Sequence, residues 1–595
     1  MRVYPRGTVL YNREKAYSGI NLISTAKDGA LITKMDGTEL KRYAVNPMPA
    51  KMIPNKNIMS VSSFRSSDFG VSDGIKLLEF DKNGKIVFDF DKFKYTEDRG
   101  YTSKWMARAH SDFQREGNSL GYYYPGEKVV KNGKTLLLVH DEIVDSKISD
   151  KTLLDDVILE IDDEGNILWK FSFSEHFDEL GFSEEAKNVI YRNPNLRITE
   201  KPLGNYLDVT SISTIGENKW FDQGDPRFHP DNILFTARAA NIIGIVDKKR
   251  SRICYKLGPK FSDFKKVDPV VGSAFASIVP KGLPGEGNLL IFDNGGRCGY
   301  GSPTLTSQSG LLPFVRNYSR ILEINPVTLS VNWSVDPRDF GFSIPINGYK
   351  FYSPYGGNLQ RLPNGNTLIT LATEGMVIEI TNSKEIVWQW TCPYRTTTEN
   401  LLKNNMIYRV YRYPYEYLNV DDFENEIEEI EDASYYKLKG AGSFKSVEVT
   451  NVARSELTND IDPLSQESES VKDLVENKKI IKRNESRIKY VNQNYFDETI
   501  NKEKAAIIIY GAQRCSHCKP LMEVMEVLLE EEFKEVNCYY MDLDKNKDFA
   551  EKYEIFQLPR VSFYSDGEKV YEFMGEKSYD EIAGLIEKYL LEVDE

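Results

Sequence analysis

Histidine is scarce in this chain, five among 595 residues, so chemistry that runs through imidazole has few side chains to use. No Cys/His group has the spacing of a zinc site and no glycine-rich phosphate loop occurs, so no metal, nucleotide or other cofactor is expected. Cysteine is also sparse. Six in a chain this long do not make a disulfide framework, and Cys254, Cys298, Cys392 and Cys538 stand alone, as small buried hydrophobes do. Apolar runs of the roughly 18 residues needed to cross a bilayer are missing, and the opening stretch MRVYPRGTVLYNREKAYSG lacks the apolar core of a signal peptide. A cytoplasmic protein without a membrane partner is expected. Basic charge is in deficit. The net charge of −14 speaks against a nucleic-acid binder, which needs a basic surface.

What is present describes a folded protein of more than one domain: 41% hydrophobic residues and 12% aromatics, in a chain too long for one core. A unit of short apolar strands joined by Asp, Asn and Gly turns recurs six times. Its copies are Gly19 to Tyr43, Asn57 to Phe90, Lys134 to Phe171, Asn232 to Gly258, Asn288 to Trp333 and Asn366 to Trp388. Turns such as Asp36-Gly37 and Asn83-Gly84 between alternating apolar residues mark hairpins. No copy can bury both of its faces alone, so the repeats are expected to form a six-bladed β-propeller, the alternative being a pair of large sandwiches.

Several blocks in this region resemble the bacterial arylsulfotransferase family: WFDQGDPRFHPDNILFTARAANIIGIVD (Trp220 to Asp247), PKGLPGEGNLLIFDNGG (Pro280 to Gly296), YSRILEINPVTL (Tyr318 to Leu329) and NLQRLPNGNTLIT (Asn358 to Thr370). NNMIYRVYRYPYEY (Asn404 to Tyr417) resembles the family's C-terminal closure. The resemblance covers residues 1–440. It implies a propeller that moves a sulfuryl group between phenols through a histidine, without a nucleotide sulfate donor. The segment matching the family's histidine-rich stretch, Gly272 to Pro280, contains no histidine, and the family's His-x-Asn element falls on Asp208-Val209-Thr210. Carried over onto matching positions are Arg238 and His110, with Arg297 as a further pocket candidate. Ser111 and Met376 stand where a histidine and an arginine are usual. Sulfuryl transfer through the enzyme needs a nucleophile that is also a good leaving group, together with donors on the sulfuryl oxygens. Ala274, Phe275 and Ser277 do not replace an imidazole. His229, in PRFHPDN, is expected to tie its turn together. His140 and His176 carry no partner signature, and His110 is left open between pocket lining and structural bonding.

Asp421 to Asp432 is strongly acidic, and Arg454 to Lys478 is polar and rich in Ser, Asp and Glu. Such a composition does not bury enough surface to fold alone, so residues 441–483 are expected to be a flexible linker.

The sharpest chemistry lies beyond it, in Cys515-Ser516-His517-Cys518. This tetrapeptide sits between the apolar run Ala505 to Tyr510 and a segment of helical period, with apolar residues at Leu521, Met522, Val524, Met525, Leu528 and Leu529. A cysteine at a helix N-terminus has its thiolate favoured by unpaired N–H groups and the helix dipole. The order strand (487–491), helix (494–503), strand, C-x-x-C, helix, strand (536–546), short helix (548–555), hairpin through Ser565-Asp566-Gly567 and final helix (579–591) resembles a thioredoxin throughout residues 484–595. The resemblance implies that Cys515 is the nucleophile, Cys518 the resolving thiol and Leu558-Pro559 a cis-proline turn facing them. Arg514 stands where a tryptophan is usual, and Ile509 where a buried acid is usual. Arg514 and His517 should both favour the Cys515 thiolate and make the couple more oxidising than about −270 mV, nearer the −180 to −230 mV of isomerases and glutaredoxins.

The fold class expected is therefore a six-bladed β-propeller followed by an α/β thioredoxin fold. Three functions are compatible with it. The first is a thiol–disulfide oxidoreductase acting on a protein or peptide client, with a propeller that binds the client or an aryl sulfate or phenolic ligand. The second is an active aryl sulfotransferase with an accessory thioredoxin domain, and the third a non-enzymatic scaffold.

Overall fold

The structure is a computed structural model that describes residues 6–25, 29–66, 69, 73–197, 202–260, 268–394, 396–397, 403–418, 429–430, 449–450, 487–512, 518–553, 555, 558–575, 577 and 579–591. The chain divides into two compact units, Met1–Ser468 and Glu469–Glu595. No helix among the described residues is long and apolar enough to cross a membrane.

The first unit is a six-bladed β-propeller built of antiparallel four-stranded blades. Blade 2 (Asn46–Met52, Ile58–Val61, Leu77–Phe80, Ile86–Phe90) shows the pattern, each strand pairing with the next in the chain. Blade 3 is Ala109–Arg115, Thr135–Ile143, Leu153–Ile161 and Ile167–Ser172. Blade 4 runs from Val209–Thr214 to Arg252–Leu257 and blade 5 from Phe275–Ile278 to Val331–Val335. Blade 6 comprises Leu359–Arg361, Thr367–Leu371, Met376–Ile380 and Ile386–Thr391. The first strands of successive blades touch one another round a central axis. The six repeats read in the sequence correspond to the outer three strands of each blade. The inner strands escaped notice because they face the axis and are partly polar, as in AHSDFQR and VTSIST, so the apolar alternation fails there.

The ring is closed at both chain ends. Ile407–Tyr413, from the closure segment, is the inner strand of blade 1 and pairs with Ile20–Thr25. Gly7–Asn12 adds to the outside of blade 6 by pairing with Ile386–Thr391. Two short strands then attach to free edges: Glu429–Ile430 on Gly7–Asn12, and Val449–Thr450 in parallel on Glu39–Tyr43. The second pair lies within the stretch 441–483 that its composition marks as linker. The outer strand of blade 1 carries unpaired backbone groups, and the β-branched Val449 and Thr450 satisfy some of them, with Ala44 N–H donating to Thr450 O at 3.3 Å. The remainder of 441–483, and Arg454 to Lys478 within it, lies outside the described residues.

Around Tyr413 and Tyr417 a group of tyrosines packs on Glu127, whose carboxylate is bonded to the Tyr417 hydroxyl and to Asn118 Nδ2. Burial pushes the Glu127 carboxyl up from 4.5 to about 8, although Tyr417, Tyr124 and Asn118 each pull it down. The folded chain then holds a proton that the unfolded chain releases between those two values, so stability falls as pH rises through this window. Glu127→Gln keeps the shape and cannot ionise. Urea midpoints should match wild type near pH 5 and exceed it near pH 9; parallel pH profiles for the two proteins would refute the assignment.

The second unit is a five-stranded mixed sheet in the order Ile488–Tyr490, Asn537–Asp542, Ala505–Gly511, Arg560–Ser565 and Glu568–Met574. The first three strands are mutually parallel and the last two antiparallel to their neighbours. Successive residues of the central strand feed opposite faces. Ile507 and Ile509 join the core formed with Cys518–Glu531 and Tyr579–Ile586, whereas Ala506, Ile508 and Tyr510 join the core formed with Phe496–Ile500 and Lys547–Lys552. Both residues of the Asp566-Gly567 turn have positive φ, 47° and 83°, as a tight hairpin of matching twist requires.

Candidate active site

Strand Ala505–Gly511 is buried on both faces, and helix Cys518–Glu531 is the next described element of the chain. Cys518 opens that helix, is buried and is disulfide-bonded. Cys515, His517 and Arg514 lie outside the described residues. The Leu558–Pro559 peptide bond is cis, and the Pro559 carbonyl accepts from Gly575 N–H at 2.9 Å. Ile509 is fully buried, beside Tyr540 and Val561 in register, and shares its core with Leu521 and Met525 of the Cys518 helix.

In the propeller, the candidates separate. Arg238 is buried, ion-paired with Asp208, stacked 4.9 Å from the Tyr355 ring, and donates through Nη1 to the Arg297 carbonyl at 3.2 Å. Asp208 is held below its usual range because Arg238 and Arg197 outweigh the cost of burial. The Arg297 side chain is exposed and donates to Thr306 O at 3.0 Å. Cys298 is buried beside them, and burial pushes its thiol up to about 12, so it is a poor thiolate at neutral pH. His110 sits inside blade 3, its ring stacked on His140 at 3.5 Å and 9° between planes. Burial, and then His140, push the His110 ring well below its ordinary range. His140 carried no partner signature in the sequence, yet its Nδ1 lies 2.5 Å from Asp73 Oδ1. His229 accepts from Asp231 N–H at 3.2 Å within its own turn.

Nearer the axis, Lys51 Nζ lies 2.6 Å from Asp112 Oδ1, and Arg409 Nη1 lies 3.0 Å from Asp112 Oδ2. Arg409 also donates to Thr210 O at 2.5 Å, so this buried group joins the inner strands of blades 1 to 4. Sequence reasoning missed it because its outermost members, Lys51 and Arg409, are 358 residues apart and only closure of the ring brings them together.

Residues 127–409 match the family model for arylsulfotransferase (ASST), and residues 487–588 match the model for thioredoxin. The chain joins an arylsulfotransferase-family propeller to a thioredoxin-family domain. The second of these is similar to the thioredoxin of Staphylococcus saprophyticus, 29% identical over 100 residues that cover 17% of this chain and 95% of that protein. It is also similar to the chloroplastic M-type thioredoxin of Pisum sativum, 26% identical over 120 residues, covering 20% of this chain and 70% of that one. Among solved structures, the N21Q mutant thioredoxin of Halobacterium salinarum matches at 26% identity over 19% of this chain and 99% of that chain, with a TM-score of 0.17. Residue 509 of the thioredoxin-family domain is isoleucine, and the arylsulfotransferase-family propeller has no histidine from Gly272 to Pro280.

Proposed function

We propose that the C-terminal domain is a thiol–disulfide oxidoreductase acting on a protein or peptide client, and that the propeller binds that client, or an aryl sulfate or phenolic ligand, without transferring a sulfuryl group. The observation that carries the reading is the disulfide-bonded Cys518 at the start of its helix. In the reductive direction the Cys515 thiolate attacks a client disulfide, forms a mixed disulfide and releases one client thiolate. Cys518, as its thiolate, then attacks the Cys515 sulfur and releases the second client thiolate. Two electrons pass to the client, and an external dithiol returns the domain to its reduced form. The positive charges of Arg514 and His517 beside Cys515 favour its thiolate. The compartment proposed is the cytoplasm, where a dithiol couple cycles rather than persisting as a structural bridge.

Support for a non-transferring propeller comes from its histidines. His110 is enclosed in blade 3, and Ala274, Phe275 and Ser277, in the segment where the resemblance implies an imidazole, are buried. The test uses the full-length protein. With dithiothreitol as reductant it should reduce insulin disulfides, Cys515→Ser should abolish this, and Cys518→Ser should accumulate a mixed disulfide visible on a non-reducing gel. The same preparation should release no phenol from a chromogenic aryl sulfate with a phenolic acceptor. Release that disappears in Arg238→Ala would place the chemistry in the propeller and overturn this reading.

A further inference from the structure

His110, His140 and Asp156 come from three consecutive strands of blade 3, and His140 and Asp156 are direct cross-strand partners. His110 Nε2 lies 3.2 Å and His140 Nε2 3.7 Å from the same atom, Asp156 Oδ1. All three side chains are at most 3% exposed, and neither His110 Nε2 nor Asp156 Oδ1 has a hydrogen-bond partner. The remaining polar atoms of the group are engaged. His140 Nδ1 faces Asp73 Oδ1 at 2.5 Å, and Asp73 Oδ2 accepts from Arg108 at 2.9 and 2.7 Å. Asp156 Oδ2 accepts from Val209 N–H at 3.2 Å, and His110 Nδ1 lies 3.1 Å from Ser111 Oγ.

With Nδ1–H of His140 donated to Asp73, its Nε2 presents a lone pair. The Nε2 atoms of two imidazoles and one carboxylate oxygen then converge, and neither His110 Nε2 nor Asp156 Oδ1 finds a hydrogen-bond partner, which is costly for buried polar atoms. The nearby guanidinium groups do not help, since Arg108 is taken by Asp73 and Arg238 by Asp208. We propose that His110, His140 and Asp156 bind a zinc ion inside blade 3. The separations of 3.2 and 3.7 Å bracket the edge of a tetrahedron, which is about 3.3 Å for metal–ligand bonds of about 2.05 Å. Two imidazoles and one carboxylate suit zinc, with water or another small donor in the fourth position. Loading rotates each ring out of the parallel stack so that its lone pair meets the ion. Asp73 orients His140, and the ion supplies the positive charge that Asp156 lacks.

The test uses full-length protein carrying Cys515→Ser and Cys518→Ser, so that the C-x-x-C cannot hold metal. After dialysis against metal-free buffer it should retain one equivalent of zinc per chain. Cobalt(II) in its place should give a visible d–d band without a thiolate charge-transfer band. Adding Asp73→Asn should weaken zinc binding by roughly 10- to 100-fold, and Asp156→Asn should remove stoichiometric retention. If Asp156→Asn does not fold, stoichiometry and the cobalt spectrum of its parent decide the matter. Absence of both zinc retention and a cobalt band in the folded parent would overturn the site. So would a protonated-carboxyl infrared band, present in the zinc-equilibrated parent and lost in Asp156→Asn, because a proton would then satisfy the three atoms.

Discussion

Replacing Glu379 by alanine should destabilise the propeller by about 3–5 kcal/mol, the cost of breaking a buried ion pair from one side. Glu379, in blade 6, and Arg412, in the closing strand of blade 1, are both fully buried and meet at 2.6 Å. Glu379 also accepts from Tyr17 N–H and Asn366 Nδ2, each at 2.7 Å, while Arg412 donates to Asn21 Oδ1 at 2.7 Å and stacks on Trp388 at 4.4 Å. One carboxylate thus ties together the N-terminal segment, the last blade and the C-terminal strand. Its removal strands a guanidinium and two N–H donors without water. The double variant Glu379→Leu, Arg412→Met should be less damaged than Glu379→Ala, since it leaves no unpaired charge. Tryptophan fluorescence in urea measures this unit alone, because all six tryptophans, Trp105, Trp169, Trp220, Trp333, Trp388 and Trp390, precede residue 440. A Glu379→Ala midpoint within error of wild type would refute the latch.

Introducing an acid at position 509 should accelerate the second step of disulfide exchange by about 100-fold, the lower range for a positioned general base. Ile509 lies in the hydrophobic core that includes Leu521 and Met525 of the Cys518 helix. A buried aspartic acid there has its pKa raised toward neutrality by desolvation, which is the range a base for a thiol needs at pH 7. The same change should cost the domain about 3–5 kcal/mol, through lost aliphatic packing and a buried polar group. Ile509→Leu serves as the packing control and should leave exchange unaltered. Stopped-flow decay of a preformed mixed disulfide at Cys515 isolates the step. A folded Ile509→Asp protein that decays at the wild-type rate would show that proton removal from Cys518 does not limit turnover.

Much of the architecture was legible because its signals are local. The Asp36-Gly37 and Asn83-Gly84 turns, the alternation in the outer strands of each blade and the AAIIIY run before the C-x-x-C each report a structure completed within about ten residues. The polar inner strands reported nothing. Their pattern answers to neighbours across the axis, and Lys51, Asp112 and Arg409 look like unrelated surface charges until the ring closes. The attachment of Val449–Thr450 was hidden for a similar reason, since two β-branched residues in a polar stretch carry no signal until a free strand edge lies beside them.

The sequence by itself determined the two folds, the pairing of an arylsulfotransferase-family propeller with a thioredoxin-family domain, and the position of the dithiol. These follow from turn chemistry, hydrophobic period and contiguous motifs. Tertiary structure alone decided which histidines are enclosed and what they face. His110, His140 and Asp156 are 30 and 16 residues apart, and neither spacing marks a ligand set. Antiparallel pairing sets Asp156 directly opposite His140, and the irregular first strand of blade 3 turns His110 onto the same oxygen. Burial then removes the water that would have satisfied them, so three ordinary side chains acquire a requirement for a partner that no local pattern encodes.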